Sequence, residues 1–591
     1  MKPYMLFCLL LCALHGAYAQ QLQSTETVIL TKPSWERVLS GKAAAQPERT
    51  SYGFIQMLDG RTLAACAPDG RTLWQQPLNG RPGSFLTVDA ANDFCYALVN
   101  NNTKLQLYNP SGVWLWTVNL PQAAVHKPLV GRDGRVFVQG EQYISCYGVN
   151  GTQKWSADVP PSGGFPLYEL PDGTLLYIRG EQAGGKTTAL RISPFGSVLE
   201  ELTFSGAVAA AGHTKAGIIL VFADGAAGCC TVKNGMAYSQ WIRSAVVEKP
   251  ETCIILETGD VCSIISAAAG GSQALILQPE TGETLGAVAE LGPSAQAIVF
   301  TDCTNSFVTI ADRAAAAAFN VQTKQVEWRA SLPANKDWKY LLSTEPGMLV
   351  LAGSDTWTIS AYRVRQYPQS RLASDAPRAQ KTSYLPFAQK EAEKSGVSYY
   401  LPASAAELAA IAELMQSGDA GGKELSAYLT VRHEADRLRD RYYRQTPLPA
   451  GENMIPSYAS NIVQAEQLLT LFPLFESDAF AKDIAYAIKN ETDSTLLAAA
   501  LRAASRLGYD PQGDMLSAIG GRIRTAAVLQ NPALAAAACD AVYRICRFMG
   551  KPAFLEQGRE QLVFLIHPDF DEKIRASAES ALKKLIDLQI Q

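Results

Sequence analysis

Pro68-Asp69-Gly70-Arg71-Thr72-Leu73-Trp74 is followed 42 residues later by Pro110-Ser111-Gly112-Val113-Trp114-Leu115-Trp116, and then by Val149-Asn150-Gly151-Thr152-Gln153-Lys154-Trp155. Each phrase is a polar turn with glycine, and a tryptophan four residues after that glycine. Eroded copies stand at Ser193-Pro194-Phe195-Gly196, Lys233-Asn234-Gly235, Pro279-Glu280-Thr281-Gly282 and Gln322-Thr323-Lys324-Gln325-Val326-Glu327-Trp328. Successive turn positions are separated by 42, 39, 45, 39, 47 and 42 residues. A period of about 40 to 45 containing several short strands specifies a β-propeller, one blade per repeat.

One unit shows why. Arg135-Val136-Phe137-Val138-Gln139, Tyr143-Ile144-Ser145-Cys146-Tyr147 and Lys154-Trp155-Ser156-Ala157 are short strand-like runs punctuated by Gly and Asn. The tryptophan ending the phrase is large enough to fill the space between neighbouring blades, so Gly70, Trp74, Gly112, Trp116, Gly151, Trp155 and Trp328 are read as structural blade residues. Counting inner hairpins gives eight blades, with seven as the alternative: around 51–66, 94–108, 135–147, 174–192, 216–232, 253–277, 297–319 and 348–364. The last hairpin has no outer strand after it, and Thr27-Val28-Ile29-Leu30 is expected to supply one from the other end of the chain, removing exposed sheet edges. The alanine run 314–318 favours helix by propensity, but the period assigns it to a strand.

The 591 residues, 47% of them hydrophobic, suffice for more than one core. Lys2, the apolar run Met5–Leu14 and Ala17-Tyr18-Ala19 read as an export signal over 1–19, with the mature chain starting at Gln20 and a periplasmic or secreted destination. The propeller is assigned to 20–364. Residues 365–402, with Pro368, Pro377, Pro386 and Pro402, read as a linker or strap. From 403 to 591 the period turns helical. Asp493–Gly508, Asn531–Gly550 and Asp569–Leu585 begin 38 residues apart, the first two ending in Gly, and read as HEAT-like helix pairs of an α-solenoid.

The net charge of −4 gives no global reason to bind nucleic acid, and no later run is apolar enough to span a membrane. The cysteines are too sparse for a disulfide scaffold. Cys539 and Cys546, about 10.5 Å apart along a helix, cannot bridge, whereas Cys253 and Cys262 flank a turn at 258–260 and leave a cross-hairpin pairing open. His126, His213, His433 and His567 lack metal-ligand spacing, and no nucleophile elbow, Walker loop or dinucleotide fingerprint occurs. No catalytic, cofactor or metal site is therefore assigned. Two features carry alternatives. Adjacent Cys229 and Cys230 are candidates for a ring disulfide against a quinone, although neighbouring strand residues face opposite ways. Arg437, Arg441, Tyr442 and Arg444 are a candidate docking surface on a helix whose acidic neighbours also allow a solvated face.

The units at Gly70, Gly112 and Gly151 resemble the repeats of the pyrroloquinoline-quinone-like propeller superfamily across roughly 27–364. The resemblance implies one of two roles: a quinone-dependent dehydrogenase with cofactor and calcium on the ring axis, or a non-catalytic propeller of the BamB-like kind, which serves outer-membrane β-barrel assembly. The cofactor-stacking and calcium-binding residues of the first cannot be placed here, so an exported, non-catalytic scaffold for envelope proteins is expected, outer-membrane barrel proteins or their assembly factors among them. An oxidoreductase and a polysaccharide- or peptidoglycan-binding propeller are the alternatives. The chain departs from BamB-like propellers in lacking a clear lipidation signal and in carrying an appended helical domain.

Overall fold

A computed structural model describes residues 27–590 except 183–184, 234–235, 245, 249, 251–253, 259–260, 269–270, 289–297, 300–306, 312–314, 334–337, 343–346, 354–356, 367–383, 396–402 and 445–454. Residues 1–19, read above as an export signal, lie outside the described residues, as do Cys253, Cys303 and Gly235.

Eight small sheets form the ring. Blades 1 to 6 are antiparallel four-stranded meanders spanning 48–77, 82–119, 129–158, 168–204, 208–243 and 254–288. Blade 7 spans 298–331 and blade 8 spans 338–363. The two middle strands of each blade are apolar, and those assigned a burial class lie almost entirely inside, as in Gly53–Leu58 and Cys95–Val99. Their side chains alternate between the cores on either side of the blade. Ala315–Asn320 is a middle strand of blade 7, so the repeat overrides the helical propensity of its alanines. Small residues there suit the closely packed core shared with Trp328 and Trp338.

The ring closure differs from the expectation. Thr27–Ile29 does not complete blade 8. It adds a fifth strand to blade 7, parallel to Gln325–Ser331, with Thr27 opposite Arg329 and Ile29 opposite Ser331. Trp35–Val38 is the strand that completes blade 8, antiparallel to Thr358–Arg363. The reason lies in Trp35, whose indole Nε1 donates to the Pro68 carbonyl of blade 1 at 3.2 Å, whereas Thr27–Ile29 carries no anchor for the inter-blade space.

The helical part contains eleven helices among the described residues. They are α1 (Leu385–Ser395), α2 (Ala405–Gln416), α3 (Glu424–Arg444), α4 (Ile455–Leu471), α5 (Ala481–Asn490), α6 (Ser494–Leu507), α7 (Asp514–Arg522), α8 (Ala526–Leu529), α9 (Pro532–Met549), α10 (Pro552–Leu565) and α11 (Glu572–Ile590). Helices α4, α6, α9 and α11 stack in one layer, while α5, α7 and α10 lie behind them. The ends of α6 and α9 follow from the sequence. Asp493 and Asn531 each accept two backbone N–H groups at the N-terminus, and Gly508 and Gly550 take the left-handed conformation at the C-terminus. Cys539 and Cys546 lie buried and unbridged on α9.

One hydrophobic core runs through both parts. Phe94, Tyr96, Val136, Tyr147 and Phe195 from blades 2 to 4 belong to the same cluster as Tyr384, Tyr428, Phe475, Leu501 and Ile545.

Candidate functional site

A repeated tryptophan locks blade 1 to 2, 2 to 3, 3 to 4 and 5 to 6, while the outer strands of blades 4 and 6, Val198–Phe204 and Thr284–Val288, carry none. Trp74 Nε1 donates to the Pro110 carbonyl at 3.0 Å, Trp116 to Val149 at 2.8 Å, Trp155 to Pro194 at 3.0 Å and Trp241 to Pro279 at 2.7 Å. The indole lies flat on the turn glycine of the receiving blade. A Cβ on Gly196 would stand 2.7 Å from the Trp155 ring, and the φ of +89° at Gly196 already favours glycine. Gly70, Gly112 and Gly151 serve Trp35, Trp74 and Trp116 in the same way. Trp328 is buried beside Trp338; the blade 8 turn at 354–356 lies outside the described residues. Trp35 and Trp241 were missed in the sequence although a signal was present: Trp35 precedes Gly70 by 35 residues, as Trp116 precedes Gly151.

Cys229 and Cys230 lie on the strand Ala227–Lys233 of blade 5 and point into different cores, Cys229 toward blade 6 and Cys230 toward blade 4. Burial pushes both thiols up to about 12. This opposed geometry does not fit a ring disulfide stacked on a quinone. Cys262 stands opposite Glu257 in its hairpin; the proposed partner Cys253 lies outside the described residues.

The candidate docking residues fall on α3. Arg437 pairs with Glu434 at 3.4 Å. The backbone of Arg441, Tyr442 and Arg444 continues the helix, but their side chains lie outside the described residues. Two nearby arginines have inward roles: Arg432 donates to both oxygens of buried Asp483 at 2.6 Å, and Arg439 reaches the same carboxylate at 2.7 Å. Much of this basic run therefore holds α3 against α5.

The densest polar chemistry lies at the seam between ring and helices, unanticipated from the sequence. Arg135 on blade 3 is 2% exposed. Its Nε donates to Asp133 at 2.9 Å and its Nη1 to Glu424 of α3 at 2.7 Å, with the guanidinium about 5 Å from the rings of Phe195 and Tyr384. One cation thus serves two carboxylates. Burial holds the Glu424 carboxyl above its ordinary range, partly offset by Arg135. Beside it, the Tyr384 hydroxyl donates to Glu169 at 3.2 Å and accepts from the Arg132 N–H at 3.2 Å.

Helix ends meet ring turns along this seam. The last carbonyls of an α-helix lack intrahelical donors, and the turns supply them. Asn109 Nδ2 donates to the Arg547 carbonyl at 2.6 Å and Ser111 Oγ to that of Gly550, both at the end of α9. Asn150 Nδ2 donates to Leu507 at the end of α6 at 3.3 Å, and Lys154 Nζ donates to Leu474, just beyond α4, at 2.8 Å. Two helices of one layer, α6 and α9, thereby stand end-on against blades 2 and 3, and strand residue Lys154 holds the turn that follows α4.

Met236–Arg243 is the outermost strand of blade 5, with no strand beyond it among the described residues. Along it Met236, Tyr238 and Ile242 are 63%, 38% and 57% exposed. Among the described residues no group of three or more His, Cys, Asp or Glu side chains is placed to hold a metal ion, and no helix is long and apolar enough to cross a membrane.

A family model described as "Outer membrane protein assembly factor BamB" matches residues 59–212. Among solved structures, BamB from Moraxella catarrhalis is 14% identical, with 57% of this chain and all of that chain covered and a TM-score of 0.40. The C-terminal WD40 domain of Sif2 is 13% identical over 58% of this chain and all of its own, with a TM-score of 0.45. Sqt1 from Saccharomyces cerevisiae is 11% identical over the same shares, with a TM-score of 0.40. No curated protein matches the chain. The molecule is an eight-bladed β-propeller with BamB-like, PQQ-like repeats across 59–212, followed by a helical C-terminal region.

Proposed function

We propose that this protein is a non-catalytic binding scaffold of the bacterial cell envelope, exported to the periplasm or beyond, and that it holds other envelope proteins, outer-membrane barrel proteins or their assembly factors among them. The observation carrying the reading is what the ring does with its own chain: the outer edge of blade 7 takes up Thr27–Ile29 as an added strand. Strand addition at an edge uses main-chain hydrogen bonds for affinity and alternate side chains for selectivity. Blade 5 offers such an edge, and the apolar side chains of Met236, Tyr238 and Ile242 suit contact with a partner better than contact with water. The match of 59–212 to a barrel-assembly-factor family supports a role in the same cellular process.

Crosslinked co-isolation of the tagged protein from intact cells tests this. Recovery of a barrel protein or an assembly factor by the native chain, lost on Met236→Lys with Ile242→Lys, is expected. Recovery of nothing above background, or equal recovery by the variant, overturns the proposal.

A further inference from the structure

An open groove of about 760 Å³ runs between α5 and α7 in the helical domain. Its charge is one-sided. Lys482 and Lys489 line one wall, seven residues apart and therefore two turns along the same face of α5, about 10.5 Å from each other. Both are exposed, and neither has a carboxylate within ion-pair distance among the described residues. Arg522 lines the opposite wall from α7; it donates Nη2 to the Glu491 carbonyl and leaves Nε buried without an acceptor. Asp514 is the one carboxylate in the lining. Three cations thus face one anion in a chain whose overall charge is −4.

Part of the lining is small. Ala485, Ala518 and Gly521 contribute to it, and a Cβ added at Gly521 would meet nothing within 4 Å. Tyr486 adds one half-buried aromatic face. A ten-residue helix is about 15 Å long, enough for about four or five residues of extended peptide at ~3.3 Å each. Small lining residues admit a polypeptide backbone, whereas a nucleic-acid strand would call for several stacking aromatics.

We infer that the α5–α7 groove binds a short, extended, acidic polypeptide segment, its carboxylates met by Lys482, Lys489 and Arg522. The inference stands on the helical domain alone and holds whether or not the ring edge binds a partner.

The test is fluorescence anisotropy on the full chain with a labelled glutamate-rich peptide, its glutamine counterpart and a single-stranded oligonucleotide. Preferential binding of the glutamate peptide, weakened by added salt, is expected. Lys482→Glu with Lys489→Glu should weaken it about tenfold, and Gly521→Leu, which places bulk in the lining without altering charge, should weaken it to a similar degree. Melting temperatures near the native value would confirm that both variants fold. The blade 5 variant Met236→Lys with Ile242→Lys should bind the peptide as the native chain does, which separates this result from the fate of the scaffold reading. Equal binding of the two peptides, unchanged affinity in both groove variants, or tighter binding of the oligonucleotide would each sink the inference.

Discussion

At the scale of single residues, what could be read in advance was what the repeat repeats. Gly70, Gly112 and Gly151 were legible because the same physical demand, a backbone under an indole, recurs there and again at Gly196 and Gly282. Arg135 was not, because its partner Glu424 lies 289 residues away and its environment is made by another domain. Asp510 is a similar case, hidden in a loop that reads as an ordinary turn. It is fully buried, accepts the Leu516 N–H at 2.9 Å, and leaves Oδ1 without a partner. Burial pushes its carboxyl up to about 6, the amides at the start of α7 only partly opposing this. The unfolded value is about 3.9, so the folded state binds the proton more readily. Its stabilising contribution is complete below about pH 4 and lost as the pH rises to about 6, a span of ~3 kcal/mol. Asp510→Asn should flatten that part of the curve of melting temperature against pH. An unchanged slope between pH 4 and 6 in the variant would show that the dependence arises elsewhere.

At the scale of elements, helix ends were easier to place than ring closure. Asp493, Asn531, Gly508 and Gly550 each carry a local reason to start or stop a helix, and α6 and α9 begin and end with them. A three-residue strand such as Thr27–Ile29 carries no comparable reason to choose one blade over its neighbour, and the information lay instead in Trp35. The two N-terminal strands should therefore differ in weight. A chain beginning at Leu30, which keeps that buried side chain in the core beside Trp328 and Trp338, loses only an added edge strand and should melt within a few degrees of the native protein. One beginning after Val38 loses the strand of blade 8 and the Trp35 lock together. It should melt markedly lower, and the bared edge should show as self-association in size-exclusion chromatography. Equally low melting temperatures for the two truncations would return the closing role to Thr27–Ile29, and equally native ones would deny it to both strands.

At the scale of the whole molecule, the sequence divided ring from helices but could not orient them, since the turns that meet the helix ends look like any other blade turns. Their donors and the shared core make the two parts one body, with Arg135 at its centre. Arg135→Met leaves the Asp133 and Glu424 carboxylates buried with their common cation gone. The expected cost is about 3–5 kcal/mol, recovered in large part when Glu424→Leu is added. Melting temperature reports the cost, and a larger radius of gyration in small-angle scattering would report separation of the parts. A native melting temperature in the single variant would mean that the ion cluster does not hold the seam. The closing strand also sets an order in time. The Ser360 hydroxyl meets Glu36 across 324 residues of chain, so Trp35–Val38, among the first strands to emerge during synthesis, must wait, unpaired, for the last blade to appear. Closing so long a loop is among the slowest steps available to a β-rich chain, and until it happens both ends of the ring's sheet array are open to wrong partners.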